Sequence, residues 1–353
     1  MNVFPRDYNT ALTGFGGDPL KNREEHRRAI RKTPVILVHG NAGHSAHPKW
    51  GMQTMKAFLK ELAQYEDSEI WAMDYLGENN STVDLNNPHR NHIAQFKAFV
   101  DQVKDYLGVR RLDFIAHSLG CGMVNGYLRG LQSNGEWNND DHRLDVVSTF
   151  VSLAGATYGL GLGGQSEFRT GSAFEVNSHK VNDVVDDSPD GANNTALQES
   201  PQASWKKVSS LDTNGIHYVA ITSANDFVDV QNRDTGRREG ANLNKRFDLG
   251  GGIDGHEKII KSQTVFNSFK NYLNQNPPVA PAAISVDRDS GSHGAGLQIT
   301  VTITPTTVSV DYVAERVVKR FDGASSVGPS PRRSPGRWQA ASRWHWPRTA
   351  YGR

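Results

Sequence analysis

The chain has 353 residues, enough for one large domain and a small appendage, so its core does not need disulfides or metals for stability. With 37% apolar and 22% charged residues and a mean hydropathy of −0.58, the composition excludes a collagen, a coiled coil and a membrane protein. The single cysteine, Cys121, excludes an internal disulfide and a zinc cluster, and we expect neither a transmembrane segment nor a signal peptide in this chain.

The formal net charge of +1 is unevenly distributed along the chain. Residues 323–353 carry six Arg and no Asp or Glu, which leaves a formal charge of −5 on residues 1–322. A basic tail of this kind can bind nucleic acid or a membrane surface. This tail also holds Trp338, Trp344 and Trp346 without any periodic pattern, so we expect an unstructured extension and no nucleic-acid partner.

The first predicted element is a strand at Pro34–Gly40, because residues 1–30 are polar and show no clear period. This strand is a continuous β-branched run that ends in glycine, which is typical of a buried parallel strand. Further strands are predicted at 69–75, 112–116, 146–155 and 217–223, and helices at 50–62, 93–107, 123–131 and from about 256 to 273. The alternation predicts an α/β fold with a mostly parallel sheet flanked by helices.

Changes in composition divide the chain into four parts. An α/β domain covers residues 1–275 and includes a long polar stretch, 157–212, whose length is typical of a lid or cap. A Pro-rich linker follows at 276–283. Residues 282–322 alternate β-branched and polar side chains, which predicts a small β appendage before the basic tail at 323–353.

The sequence Ala116-His117-Ser118-Leu119-Gly120 stands between a predicted strand and a predicted helix. A tight turn at such a junction strains the serine and exposes its hydroxyl above the sheet. Alanine is small enough to replace the glycine that usually begins this pattern. We therefore predict that Ser118 is a nucleophile. His117 is expected to orient or pack, because adjacent side chains on a turn diverge.

A serine hydroxyl becomes nucleophilic at neutral pH when a base accepts its proton and an acid orients that base. In this architecture the acid and then the base follow the serine along the chain. The acid is expected just after the strand at 217–223, where an Asp-x-Val setting that ends in Val228 favours Asp226 over Asp229. Asp234 is a more distant candidate.

The base is expected in a flexible loop before the last helix. His256 directly follows a glycine-rich run and is therefore the predicted base, whereas Asp254 is better suited to the helix N-cap. His217 lies inside a predicted strand and His293 lies in the appendage, so both are poorer candidates.

An oxyanion formed during acyl transfer needs two backbone donors, one after the nucleophile and one in the turn after the first strand. These are the N–H groups of Leu119 and Asn41. Gly40 lets the backbone turn its N–H inward, and we expect His39 to support the turn by packing. Because Asn41 contributes its backbone, its side chain is expected to matter less.

Several of these motifs together resemble secreted bacterial α/β-hydrolase lipases over roughly residues 33–274. The shared features are His-Gly-Asn after the first strand, the AHSLG turn, Leu-Ala-Gly after the next strand, Asp-x-Val near 226 and Gly-x-x-Gly-His at 252–256. Within that group the chain is most similar to the denatured poly(3-hydroxybutyrate) depolymerase branch related to Bacillus-type lipases. The resemblance implies an α/β-hydrolase fold, a lipid or aliphatic polyester substrate, secretion and no cofactor.

Alternative functions stay open. The same constellation serves amidases, thioesterases and acyltransferases, and a non-catalytic adhesion or binding protein could use the same frame. The adhesion alternative is disfavoured because every triad position is filled, although by analogy with secreted hydrolases the β appendage could attach the enzyme to a surface. The acidic run that ends at Asp190 lacks calcium-loop spacing, so we expect no metal. No substrate-binding residue is identified.

Overall fold

The computed structural model describes residues 3–81, 88–141, 143–155, 216–228, 236–238, 241–275 and 277, and four short strands beyond them at 283–288, 299–304, 318–319 and 325–326. The chain divides into two compact units, Met1–Pro278 and Val279–Arg353. The larger unit contains a central sheet with its helices, and the smaller unit contains the four short strands.

The described strands of the larger unit form a single sheet. Its described strands are β1 (Gly14–Gly16), β2 (Val35–Val38), β3 (Ile70–Met73), β4 (Leu112–His117), β5 (Val147–Leu153), β6 (His217–Ser223) and β7 (Leu243–Phe247). They follow the order β1-β3-β2-β4-β5-β6-β7, with β1 antiparallel to β3 and all other neighbours parallel. The carboxyl ends of the parallel strands therefore share one edge, where β4 leads into the serine turn.

Helices cover both faces of this sheet. Those described are α1 (Arg23–Ala29), α2 (Gln53–Ala63), α3 (Ile93–Leu107), α4 (Leu119–Arg129), α5 (Gly252–Lys258) and α6 (Gln263–Phe269). Side chains of β2 alternate between two cores: Ile36 and Val38 pack with α3 and α4, and Val35 and Leu37 pack with α2 and α6. None of the helices in the described ranges is long and apolar enough to cross a bilayer.

This arrangement is the α/β-hydrolase fold, so the fold class predicted from the sequence is confirmed. Burial on both faces explains why the strands read as continuous apolar runs. The five predicted strands correspond to β2 through β6, and three predicted helices correspond to α2, α3 and α4.

Among the described strands and α-helices of the larger unit, three have no counterpart among the predicted elements: β1, α1 and β7. Helix α1 does carry a signal, a capping box in which the Asn22 side chain accepts the Glu25 N–H at 3.0 Å and the Glu25 carboxylate accepts the Asn22 N–H at 2.8 Å. Strand β7, with the sequence LNKRF, lies at the edge of the sheet and is half-exposed, so it lacks the apolar run that identifies the other strands.

The last helical segment corrects the expectation for His256. Instead of one helix preceded by a flexible loop, the structure has two short helices, α5 and α6, and His256 lies inside α5. Gly251 is the N-cap of α5, and Asp254 lies in its first turn. Gly252 adopts a φ of 63°, a left-handed conformation favoured by glycine, which lets the helix begin four residues before His256.

The described residues of the smaller unit form two antiparallel strand pairs. Strand β8 (Ala283–Arg288) pairs with β9 (Ile299–Thr304), and β10 (Val318–Lys319) pairs with β11 (Ser325–Ser326). The β8–β9 pair lies where period-two alternation predicts a β appendage. Strand β11 lies within the tail that we expect to be unstructured, and the rest of that tail is outside the described residues.

A buried carboxyl group holds the end of the larger unit against the sheet. Asp113 lies near the amino end of β4, where its Oδ2 accepts the backbone N–H of Asn274 at 2.7 Å. The side-chain Oδ1 of Asn274 in turn accepts the backbone N–H of Thr33 at 2.8 Å. Burial raises the pKa of Asp113 to about 7, against the opposing hydrogen bonds from Asn274, Thr149 and Ser148.

We expect Asp113→Asn to remove one part of the pH dependence of stability. In the unfolded chain this carboxyl loses its proton above its ordinary pKa of 3.8, whereas the folded protein retains the proton up to about pH 7. The free energy of unfolding therefore falls as pH rises through this window, by roughly 1.4 kcal/mol for each pH unit, and the Asn variant lacks that decline. Urea denaturation at pH 5 and pH 8 measures the difference. An unchanged slope in the variant would contradict the raised pKa.

Candidate active site

Ser118 occupies the sharp turn between β4 and α4. Its φ of 53° and ψ of −125° are strained for a residue with a side chain, as expected of a serine whose hydroxyl is raised above the edge of the sheet. The Ser118 N–H donates to the Leu153 carbonyl at 2.9 Å, which joins the turn to β5. A Cβ on Gly120 would lie 2.4 Å from the His39 carbonyl oxygen, so the close approach of α4 to β2 requires glycine there.

The turn after β2 lies directly against this serine. A Cβ on Gly40 would lie 2.8 Å from the Ser118 Cβ, so this position also requires glycine. Asn41 follows Gly40, and Leu119 is the first residue of α4, so the two proposed oxyanion donors come from backbone on either side of the contact. The Asn41 side-chain oxygen accepts the Ala42 N–H at 2.8 Å and so helps to shape the turn.

Asp226 and His256 meet in a buried hydrogen bond. Nδ1–H of His256 donates to Oδ2 of Asp226 at 2.9 Å, and both side chains are almost fully buried. Oδ1 of Asp226 accepts the Val228 N–H at 3.0 Å, and Asp226 forms a backbone bridge with Gly252. Both carboxylate oxygens are thereby oriented, and a neutral His256 with its proton on Nδ1 has Nε2 available to accept another.

Two aromatic side chains that are not among the predicted site residues lie beside His256. The Phe227 ring is 4.7 Å from the imidazole, edge to face at 70°, and the Trp50 ring is 6.1 Å away. Lys49 joins the Trp50 loop to α5 through an ion pair with Glu257 at 3.3 Å. Phe227 could have been found from its position next to the candidate acid. Trp50 has no such signal, because its apolar side chain fits the face of the following helix equally well.

Two further histidines, His39 and His117, belong to the turns at the serine, and burial keeps both uncharged. It lowers the pKa of His39 to about 4, and burial together with the neighbouring His256 lowers the pKa of His117 well below its ordinary value. His39 donates from Nδ1 to the Gly40 carbonyl at 2.8 Å and stacks on Tyr75 with ring centroids 4.5 Å apart. These contacts agree with the packing role expected of His39.

Ser118 and His256 are both described residues, and no direct hydrogen bond joins the hydroxyl to the imidazole. Such bonds are often long until substrate binds. The other acid candidates Asp229 and Asp234, the stretch 157–212 and the acidic run that ends at Asp190 lie outside the described residues. Within the described part of the chain, no three His, Cys, Asp or Glu side chains are gathered as metal ligands.

A comparison with known families identifies the chemistry of this region. Residues 32–175 match the family described as lipase (class 2). The chain is a carboxylic ester hydrolase of the lipase type. The matched segment contains the turn after β2 and the serine turn of this hydrolase, whereas the Asp226–His256 pair lies beyond it.

The hydrolase is also similar to solved structures. A lipase-esterase related protein from Clostridium acetobutylicum has 13% identity and a TM-score of 0.41, with 75% of this chain and all of that chain (100%) covered. The Bacillus licheniformis lipase BlEst2 has 14% identity, the same coverage (75% and 100%) and a TM-score of 0.41. Aspergillus fumigatus lipase B has 12% identity and a TM-score of 0.43, with 71% of this chain and 55% of that chain covered. Similarities at this level do not bear on the substrate.

We expect Asp226→Asn to reduce ester turnover roughly 10³-fold or more, because an amide in place of the carboxylate favours the wrong imidazole tautomer. Asp229→Asn is the matched control and should leave kcat within a few-fold of the parent. Turnover of p-nitrophenyl butyrate by the two variants, with circular dichroism to confirm folding, measures the contrast. A reversed order of damage would make Asp229 the acid.

Proposed function

We propose that this hydrolase cleaves apolar carboxylic esters, lipid or aliphatic polyester, through an acyl-enzyme on Ser118. His256 is the proposed general base, Asp226 holds its imidazole, and the backbone N–H groups of Asn41 and Leu119 stabilise the oxyanion. The observation that supports this most is the buried hydrogen bond between His256 and Asp226, because it directs Nδ1 to the carboxylate and leaves Nε2 for the serine proton.

Each step of the proposed reaction moves one proton through His256. The Ser118 oxygen attacks the ester carbonyl while its proton passes to Nε2, and the tetrahedral oxyanion accepts the two backbone hydrogen bonds. The intermediate then collapses and the leaving alcohol takes the proton from Nε2. Water attacks the acyl-enzyme by the same route, which releases the carboxylic acid and restores the serine hydroxyl.

Exposed apolar side chains beside the histidine support an apolar substrate. Across the described ranges, four large apolar side chains are exposed, and two of them, Phe227 at 42% and Ile253 at 50%, lie next to the candidate pair. The backbone bridge between Asp226 and Gly252 places their two segments side by side, and Phe227 and Ile253 are the residues that follow the bridge. Apolar surface at the edge of an acyl-transfer site is suited to an acyl chain or an apolar ester surface.

The narrower parts of the proposal rest on the motif resemblance. The His-Gly-Asn turn and the AHSLG turn together favour a polyester of the poly(3-hydroxybutyrate) type beside lipids, and the resemblance as a whole favours a secreted enzyme. Hydrolysis of a polyhydroxybutyrate film, compared with a triglyceride emulsion, separates the two substrate classes.

We expect Ser118→Ala and His256→Ala each to lower kcat on p-nitrophenyl butyrate by about 10⁴-fold or more, because members of a triad act as one unit. The parent should react with a fluorophosphonate probe, and Ser118→Ala should not. Both variants should unfold near the parent's melting temperature.

Three results would contradict parts of this proposal. Retained turnover in His256→Ala would remove His256 as the base. A parent that neither reacts with the probe nor hydrolyses esters would support the adhesion or binding alternative. Turnover of a water-soluble amide comparable to that of an emulsified long-chain ester would assign the protein to the amidases.

We expect Phe227→Ala and Ile253→Ala to lower kcat/KM for p-nitrophenyl palmitate by about 5- to 30-fold, which corresponds to roughly 1–2 kcal/mol of lost apolar contact. For p-nitrophenyl acetate the loss should be much smaller, because a short acyl group does not reach these side chains. Ile253→Ala is the cleaner test, since Phe227 also packs on His256.

Leu20→Ala is the matched control for this test. Leu20 is 87% exposed, and its loop is held to the amino end of β3, opposite the serine edge, by a hydrogen bond from the Gly17 N–H to the Ile70 carbonyl at 3.2 Å. Its removal should leave both substrates unaffected. An equal loss on acetate and palmitate in Ile253→Ala would contradict a role in binding the acyl chain.

A further inference from the structure

We infer that His117 is a positioning residue that holds the base in place: its Nε2–H binds the backbone carbonyl of His256 and so sets the distance between base and nucleophile. The inference rests on the proposed function, in which Ser118 and His256 act together. It assigns to His117 a specific contact in addition to the general packing or orienting role that the sequence suggests.

The hydrogen bond has an ordinary length and its direction is unambiguous. Nε2 of His117 lies 3.0 Å from the His256 carbonyl oxygen, and since a carbonyl only accepts, the proton must be on Nε2. His117 is the last residue of β4 and is followed directly by Ser118. The base and the nucleophile are therefore joined through a single side chain and one peptide bond.

The position of His256 in α5 explains why this bond matters. Helix α5 has only 7 residues, and the carbonyls of a helix's last turn lack donors within the helix. A helix this short is also unstable by itself and depends on tertiary contacts. The bond from His117 satisfies one of these end carbonyls, and it does so at the residue whose imidazole must meet the serine.

The rings around this bond keep His117 fixed and neutral. Its ring centroid is 4.6 Å from that of His256, and the Trp50 ring stacks on it at 6.5 Å with an interplanar angle of 13°. Nδ1 of His117 is buried without a hydrogen-bond partner in the described structure, as befits an unprotonated nitrogen. Burial and the adjacent His256 lower the pKa of His117, so it holds the carbonyl without competing for the catalytic proton.

A matched pair of amide variants tests the inference. The side-chain N–H of His117→Gln extends about as far as Nε2 and can still reach the carbonyl, whereas that of His117→Asn is shorter by one methylene and cannot. We expect Gln to keep kcat on p-nitrophenyl butyrate within a few-fold of the parent. Asn should lose about 10- to 100-fold, the scale of a 1 Å misplacement of a catalytic group.

Two further measurements separate positioning from other roles. KM should stay near the parent's value in both amide variants, because His117 does not touch the substrate. His117→Phe, which keeps a ring but has no donor, should lose as much kcat as Asn. Equal kcat in Gln and Asn, full activity in Phe, or a loss that appears in KM instead of kcat would each overturn the inference.

His26→Phe is the control for losing a buried histidine hydrogen bond elsewhere. His26 lies on α1, where its Nε2 accepts the Asp18 N–H at 2.8 Å, so the variant should melt at a lower temperature with unchanged kcat.

Ser118→Ala separates this inference from the proposed function. An active Ser118→Ala refutes the proposed function and the inference with it. An inactive Ser118→Ala beside a fully active His117→Asn refutes the inference alone.

Discussion

Close backbone packing at the end of β4 determines where Ser118 and the two candidate oxyanion donors lie. The turn at Ser118 has little room, since a Cβ on Gly40 would lie 2.8 Å from the Ser118 Cβ and one on Gly120 would lie 2.4 Å from the His39 carbonyl oxygen. Without these two side chains, the turn after β2 and the first turn of α4 can lie on either side of the serine. Two backbone donors can then be placed by the fold itself, with no flexible side chain involved.

The second half of the site is attached to this turn by hydrogen bonds between distant parts of the chain. Asp226 follows β6 and His256 lies in α5, and both come after the segment that matches class 2 lipases. The bridge from Asp226 to Gly252, the Asp226–His256 bond and the contact from His117 to the His256 carbonyl join these parts. The Asp226–His256 bond and the His117 contact are both buried, so water does not compete for the donors and acceptors that align the two halves.

Local sequence context accounts for what could be predicted. The central strands are buried on both faces and read as apolar runs, and Ser118 was found because a strand, a small-residue turn and a helix follow one another within a few residues. Strand β7 was missed because an exposed edge strand needs no apolar run. The helical setting of His256 has no local signal, because a glycine-rich run is as compatible with a loop as with an α-helix whose first residue, Gly252, has a positive φ. The contacts of Trp50 and His117 depend on tertiary placement, which no local pattern encodes.

The exposed edge of the described sheet has a consequence for a hydrolase with the proposed apolar substrates. Strand β7 is the last of the described strands in the sheet order, and edge strands can pair with the same strand of another molecule when copies become concentrated. Lys245 is exposed on this strand and its ammonium lies 4.8 Å from the Phe247 ring centroid, so a positive charge accompanies the strand's aromatic side chain. If the β7 strands of two molecules came together, their Lys245 ammonium groups would repel each other. Many copies crowded on one insoluble droplet or film would therefore aggregate less readily through this edge.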